Sequence, residues 1–226
     1  MMNSKSGTAA GVATCCTSRR RSGSDLLADL LGKNSKAFVV QPDGHWMEAA
    51  DSALIVAGAF NPLHSGHLEL ASTAAAMTGL QPSFELCVVN VDKPPLDALE
   101  VRKRIKQFAW KRPIWITRTP TFVEKAAVFP NATFVVGADT AERIVNPRYY
   151  NGQPGLTKAL RQIQMAGCRF LVATRRRSLE HLLSVEDIDI PVPFQGLFQP
   201  IPTSQFLMDI SSTELRIKRM NVNGQQ

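Results

Sequence analysis

Apolar residues fall in short runs along the chain, and segments bearing Gly, Pro and polar residues separate them. Ala53–Ala59, Phe84–Val91, Pro113–Thr117, Ala132–Ala138 and Cys168–Thr174 read as strands. Phe194–Ile201 reads as a weaker sixth, and Ala37–Val40 as an extra edge piece. Runs such as Phe134-Val135-Val136 and Phe170-Leu171-Val172 are apolar at successive positions. Alternation marks a strand with one wet face, so its absence marks strands covered on both faces. Helical spacing lies between them, over Gly66–Thr78, Leu99–Trp110, Phe122–Phe129, Thr140–Ile144, Leu156–Ala166 and Ser178–Ser184. The first of these stacks Leu70, Ala74 and Met77 on one face and stops at Gly79, a residue suited to a left-handed C-terminal cap. Strand and helix in alternation predict βαβ units. The expected class is α/β: a Rossmann-like doubly wound parallel sheet with helices on both faces, in a single domain.

The pattern fails at the N-terminus. Residues 1–24 are rich in Ser, Thr, Gly and Arg, with no acid before Asp25, and cannot build a core. A transit peptide shares that composition, but the stretch lacks an amphipathic pattern. Asp25-Leu26-Leu27-Ala28-Asp29-Leu30-Leu31 then shows helical spacing and stops at Gly32. The expected organisation is a flexible basic tail with a short helix over residues 1–36, and the α/β domain over 37–226. The short helix could dock on the domain or bind a partner.

Composition narrows the class without naming a chemistry. The 226 residues are 44% hydrophobic and 20% charged, ordinary for a globular protein. No apolar run approaches the roughly 18 residues that span a membrane. Cys15, Cys16, Cys87 and Cys168 form no CxxC and no regular spacing. A reducing compartment is expected, with no disulfide framework and no zinc site. The expected location is cytoplasmic, with nucleus and organelles left open. The net charge of +7 suits an anionic partner or simple solubility, and Arg19-Arg20-Arg21 supplies part of it.

The chemistry concentrates where the first main strand should turn into a helix. The stretch GAFNPLHSGHLEL runs from Gly58 to Leu70. In doubly wound sheets ligands bind at the carboxyl ends of strands, near the switch point. Gly58 permits close backbone approach, Pro62 stiffens the loop, and Gly66 lets a ligand reach the first helical turn. Free N–H groups there, with the helix dipole, make an anion site. His64 and His67 are three apart and project near each other from a helix that starts by Ser65. Paired imidazoles donate hydrogen bonds to phosphate oxygens, and carry positive charge when protonated. No further His cluster or carboxylate pair supports metal binding here. Near the C-terminus, Ile210-Ser211-Ser212-Thr213-Glu214-Leu215-Arg216 carries the S-x-x-E capping box, so Ser211 or Ser212 should open a last helix. Arg216 lies one turn in and reaches back toward the same end as a forked donor.

GAFNPLHSGH resembles the GxFNPxHxGH signature of the nucleotidyltransferase superfamily, above all the nicotinamide- and nicotinate-mononucleotide adenylyltransferases. ISSTELR resembles the family's ISSTxxR. Gly137-Ala138-Asp139, closing a predicted strand, is similar to its GxD, with Asp139 as a ribose contact or as the N-cap of the next helix. Phe170-Leu171-Val172-Ala173-Thr174-Arg175 resembles the strand that ends in a nucleotide-contacting arginine, with Arg176 and Arg177 adjoining. Val89-Asn90-Val91-Asp92-Lys93-Pro94-Pro95-Leu96 resembles the VNxDKPPL run of a eukaryotic branch of the superfamily. These matches span residues 53–216. Position 59 departs, with Ala where Ser is common. Arg148-Tyr149-Tyr150 stands where tryptophans often follow GxD.

The resemblance implies transfer of AMP from ATP to a mononucleotide, with nicotinamide mononucleotide the leading acceptor, giving NAD and pyrophosphate. It places His64, His67 and Arg216 in the catalytic set. Gly58, Ala59, Phe60, Asn61, Gly66, Gly137, Asp139, Arg175, Ser211, Ser212 and Thr213 then belong to the ATP site. Lys93, Arg102, Phe122 and Tyr149 are the acceptor-side candidates, with Arg104 as a neighbour of Arg102. Mg2+ would accompany ATP. The implied partners are ATP and a phosphorylated small-molecule acceptor. Neither a membrane nor nucleic acid is expected, and a homo-oligomer is left open. An ATP hydrolase, or a nucleotide- or RNA-binding module on the same scaffold, are the alternatives. A synthetase of the HIGH class is not expected, given the lack of KMSKS and of room for an anticodon domain.

Overall fold

The computed structural model describes residues 21–48, 50, 52–92, 94–176 and 181–207. The tail expected over residues 1–20 and the helix expected near Ser211 lie outside them. The strands are β1 (Ala37–Val40), β2 (Trp46–Met47), β3 (Leu54–Ala57), β4 (Pro82–Cys87), β5 (Ile114–Thr117), β6 (Thr133–Gly137), β7 (Arg169–Ala173), β8 (Arg175–Arg176), β9 (Leu182–Leu183) and β10 (Phe198–Ile201). The helices are α1 (Gly23–Leu31), α2 (Ser65–Thr78), α3 (Ala98–Ile105), α4 (Phe122–Val128), α5 (Ala138–Ile144) and α6 (Gln153–Met165).

Eight strands form one sheet in the order β10-β7-β6-β3-β4-β5-β1-β2. The run from β10 to β5 is parallel. The chain enters at β3 in the middle, winds outward through β4 to β5, crosses back to β6, and winds the other way through β7 to β10. This is the doubly wound Rossmann order, with its switch point between β3 and β6. β1 extends the sheet antiparallel to β5, and β2 pairs antiparallel with β1. Ala37–Val40 is therefore an inner strand of the extension, and β2 holds the edge.

Both faces are covered, which explains the missing alternation. Leu54 and Val56 of β3 point into one apolar core, with Phe84, Leu86 and helices α1, α2 and α3. Ile55 points into the other, with Phe134, Val136, Phe170 and helices α4, α5 and α6. Successive side chains point to opposite faces, so two covered faces require an unbroken apolar run. α1 starts at the Ser22–Asp25 capping box and buries Leu26, Leu27 and Leu30 in the first of these cores. It docks on the sheet through its leucine face. No helix among the described residues is long and apolar enough to cross a membrane.

The larger departures from the sequence reading fall in four places. α3 ends at Ile105 and tightens into a 3-10 turn over Lys106–Phe108, leaving Trp110 exposed with φ +60°. Val88–Val91 leave β4: the Val88 carbonyl accepts from Leu96 N–H at 2.8 Å, which closes a loop. Phe194 and Leu197 sit in a 3-10 turn, and only Phe198–Ile201 joins the sheet. The helix expected at Ser178–Ser184 is not what its described part forms. Leu182 and Leu183 pair antiparallel with Arg176 and Arg175. Ser184 opens the next 3-10 turn, its N–H donating to Asp187 at 2.8 Å. Helix nucleation is costly, and a seven-residue stretch yields to any pairing that buries its apolar residue, here Leu183.

Candidate active site

The loop from Gly58 to His64 leaves β3 at the switch point and is held from three sides. Gly58 N–H donates to the Glu85 carbonyl at 3.1 Å, continuing the β3–β4 ladder. A Cβ at Gly58 would lie 2.7 Å from the Phe60 ring, so only glycine fits. That ring is buried edge-to-face against Phe84, Phe108 and His67, at 5.3, 5.2 and 5.1 Å between centroids. It anchors a backbone with φ +47° at Phe60, a conformation L side chains rarely adopt. Beyond it, the Asn61–Pro62 peptide is cis. Side chains from the α3 segment supply the outer brace. Arg104 Nη1 donates to the Ala59 carbonyl at 2.9 Å, and its Nε to Glu100 at 2.8 Å. Gln107 spans the turn: its Nε2 donates to the Phe60 carbonyl at 3.0 Å, and its Oε1 accepts from Leu63 N–H at 2.8 Å. Ala59 thus contributes a carbonyl rather than a side chain.

α2 begins immediately after, with His64 at its N-cap in extended conformation and the His67 side chain reaching back to it. The first N–H groups of a helix have no partner within the helix and form a positive end. The His64 and His67 rings stack here, 3.7 Å between centroids and 28° between planes. His64 N–H donates to His67 Nδ1 at 3.3 Å. An accepting Nδ1 is unprotonated, so the hydrogen of neutral His67 sits on Nε2 and is available as a donor. Burial, reinforced by the neighbouring His64, pushes His67 down to about 3, and burial also lowers His64. Neutral imidazoles therefore stand here. Their contribution to an anion is N–H donation beside a helix dipole rather than a formal charge.

On the other side of the loop a cavity of about 650 Å³ opens at the carboxyl ends of β3, β4 and β5, within the range of small-molecule sites. Gly58, Ala59 and Asn61 form its boundary with the helix start. Its floor carries a buried ion pair, Lys125 Nζ to Glu85 Oε1 at 2.5 Å. Thr117 donates to the same carboxylate oxygen, and Thr119 donates to Thr117 at 2.9 Å. At the mouth, Asp92 accepts from the Tyr149 hydroxyl at 3.3 Å and lies 3.6 Å from Arg143 and 3.5 Å from Arg148. The Arg148 guanidinium covers the Tyr149 ring at 4.6 Å. Burial pushes the Tyr150 phenol up to about 12, so it lines the cavity in its protonated form.

The predicted residues divide accordingly. Gly58, Ala59 and Asn61 line the cavity, Phe60 is the buried anchor of their loop, and Gly66, His64 and His67 open α2. Gly137 ends β6 across the switch point as the N-cap of α5. Asp139 is not that N-cap: α5 starts at Ala138, which leaves Asp139 inside the first turn, ion-paired with Arg175. Phe122 and Tyr149 line the cavity. The Phe122 ring is itself packed edge-on against Phe134 and Phe170, which commits it to the core. Arg102 does not reach the cavity. It donates to Ser24 at 3.1 Å and lies over the Trp46 ring at 5.8 Å, so it secures α1; Arg104, two residues on, lines the cavity. Lys93, Ser211, Ser212, Thr213 and Arg216 lie outside the described residues.

Sequence reasoning passed over Glu85, Lys125, Thr117 and Gln107. One signal was present. Glu85 interrupts the apolar run Phe84–Leu86, and a carboxylate inside a strand covered on both faces needs a partner. Its partner, 40 residues away on α4, was not visible. Among the described residues no group of three or more His, Cys, Asp or Glu side chains could hold a metal ion. A family model described as cytidylyltransferase-like matches residues 55–218, more than half of the chain. No curated protein matches it.

Proposed function

The chain belongs to the cytidylyltransferase-like family, part of the nucleotidyltransferase superfamily, and from that premise we propose that it is an adenylyltransferase joining AMP from ATP to a mononucleotide. The proposed acceptor is nicotinamide mononucleotide, giving NAD and pyrophosphate. One observation carries the reading. A single braced loop, Gly58–Asn61, stands between a helix start that carries two stacked histidines and a cavity of about 650 Å³, a size in the range of small-molecule sites.

In this reading the triphosphate of ATP lies at the start of α2, and the acceptor ring enters the cavity. A phosphate oxygen of the acceptor attacks the α-phosphorus in line, that P–O bond forms, and the bond to the β-phosphate oxygen breaks as pyrophosphate leaves. The nucleophile is already an anion, so no protein base is needed. Catalysis consists of positioning and of meeting the charge that develops on the phosphoryl oxygens. His67 Nε2–H, the His64 ring and the first N–H groups of α2 are the donors proposed for that task. Ser211, Ser212, Thr213 and Arg216 are proposed to hold the outer phosphates, as the resemblance of ISSTELR implies. Mg2+ is taken as part of the ATP substrate.

The test is an incubation with MgATP and either nicotinamide or nicotinate mononucleotide, measuring dinucleotide and pyrophosphate. Dinucleotide with stoichiometric pyrophosphate is the expected result. Phosphate release that ignores the acceptor would instead identify an ATP hydrolase. Binding of ATP or RNA without turnover would identify a binding module.

A further inference from the structure

The floor of the cavity presents an ion pair that the fold itself does not require. Glu85 is 1% exposed and Lys125 5% exposed, and both line the cavity. Taking two charges out of water is costly, and a buried pair is often no more stabilising than apolar residues of the same volume. The residues in register with Glu85 on the neighbouring strands, Ala57 and Trp115, share its face of the sheet and are apolar.

The hydrogen bonds on this pair are lopsided. Lys125 and Thr117 both donate to Oε1 of Glu85, and among the described residues Oε2 accepts nothing. Lys125 Nζ carries three donors, and its one hydrogen bond among the described residues goes to Glu85. The floor therefore offers one open acceptor and open donors side by side, on a pair whose charges cancel. We propose that Glu85 and Lys125 select acceptors bearing an uncharged carboxamide over acceptors bearing a carboxylate.

A carboxamide complements this arrangement: its NH2 donates to Glu85 Oε2, and its C=O accepts from Lys125 Nζ. A carboxylate has no hydrogen to donate and sets a second anion beside Glu85. Among the described residues that line the cavity, no other basic side chain corrects this. Arg104 is engaged by Glu100 and Ala59, and Arg143 lies at the mouth beside Asp92. Sites built to hydrogen-bond a group discriminate strongly against analogues that leave buried polar atoms unpaired.

The inference rests on the reading that a mononucleotide occupies the cavity, and the experiment separates the two. Steady-state kcat/KM is measured for nicotinamide and nicotinate mononucleotide with the wild type, with Glu85→Gln, and with the double variant Glu85→Gln/Lys125→Met. The double variant leaves no uncompensated buried charge, so a fold lost in Glu85→Gln alone does not remove the test. The wild type should prefer the amide at least tenfold. That preference should shrink at least tenfold in a folded variant, with the change carried mainly by KM. Equal use of both acceptors by the wild type, or a preference that the variants retain, would overturn the inference and leave the adenylyltransferase reading intact. Failure of the wild type to turn over or bind either acceptor would overturn both.

Discussion

The histidine pair shows how far a residue's chemistry depends on its surroundings. His67 is held neutral because its ring is buried against Phe60 and stacked on His64. In the unfolded chain an imidazole takes up its proton near pH 6.5, and in the folded protein only near about 3. Between those values the unfolded state binds more protons, so stability is complete above about pH 6.5 and falls as the pH drops. The slope approaches roughly 1.4 kcal/mol per pH unit from this group alone. Thermal midpoints from pH 7 to 4 should therefore fall more steeply for the wild type than for His67→Gln. Replacing His64 or His67 by Ala should lower kcat about 100- to 1,000-fold, the cost of one oxyanion donor, with far-UV circular dichroism unchanged. The two histidines and their spacing were legible in the sequence. Their neutrality was not, because it arises from Phe60 packing against Phe84 and Phe108 from other elements.

At the scale of elements, the loop after β3 takes its shape from α3. Gln107 joins the Phe60 carbonyl to the Leu63 N–H, and Arg104 pins Ala59. Gln107→Ala should cost about 1–3 kcal/mol in stability through buried backbone groups left unpaired. It should lower kcat/KM roughly tenfold or more, because a misplaced loop misaligns the donors behind it. Urea unfolding and steady-state kinetics on the same variant check both. Elements with strong periodicity were legible: β3, β6, β7, α2 and the leucine face of α1 stand close to where the hydrophobic pattern puts them. The segment after β7 was not. A few apolar residues at helical spacing are equally compatible with a short strand, and the antiparallel pairing of Arg175 and Arg176 with Leu183 and Leu182 decided it.

At the scale of the whole molecule, the fold gathers the ends of β3, β4, β5 and β6 around one switch point, so a nucleotide bound there ties both halves of the sheet. ATP at about 100 times its dissociation constant should add about 2.7 kcal/mol of stability. For a chain of this size that is a rise in melting temperature of roughly 5–10 °C, read by scanning fluorimetry or calorimetry. The His64→Ala/His67→Ala protein should lose most of that shift.

What the sequence determined by itself was the class of fold and the position of the histidine pair where β3 gives way to α2. Strands covered on both faces must be continuously apolar, and the run Gly58–His67 carries its glycines and histidines within ten positions, where local geometry governs them. What only the tertiary structure decided was the cavity and its floor. Glu85 and Lys125 meet across 40 residues because β4 and α4 pack together, and Arg102 and Arg104 part company because α1 claims the first. Periodicity reports which face a residue occupies. Which residues face each other across a cavity depends on strand order and helix packing, and those are properties of the folded chain as a whole.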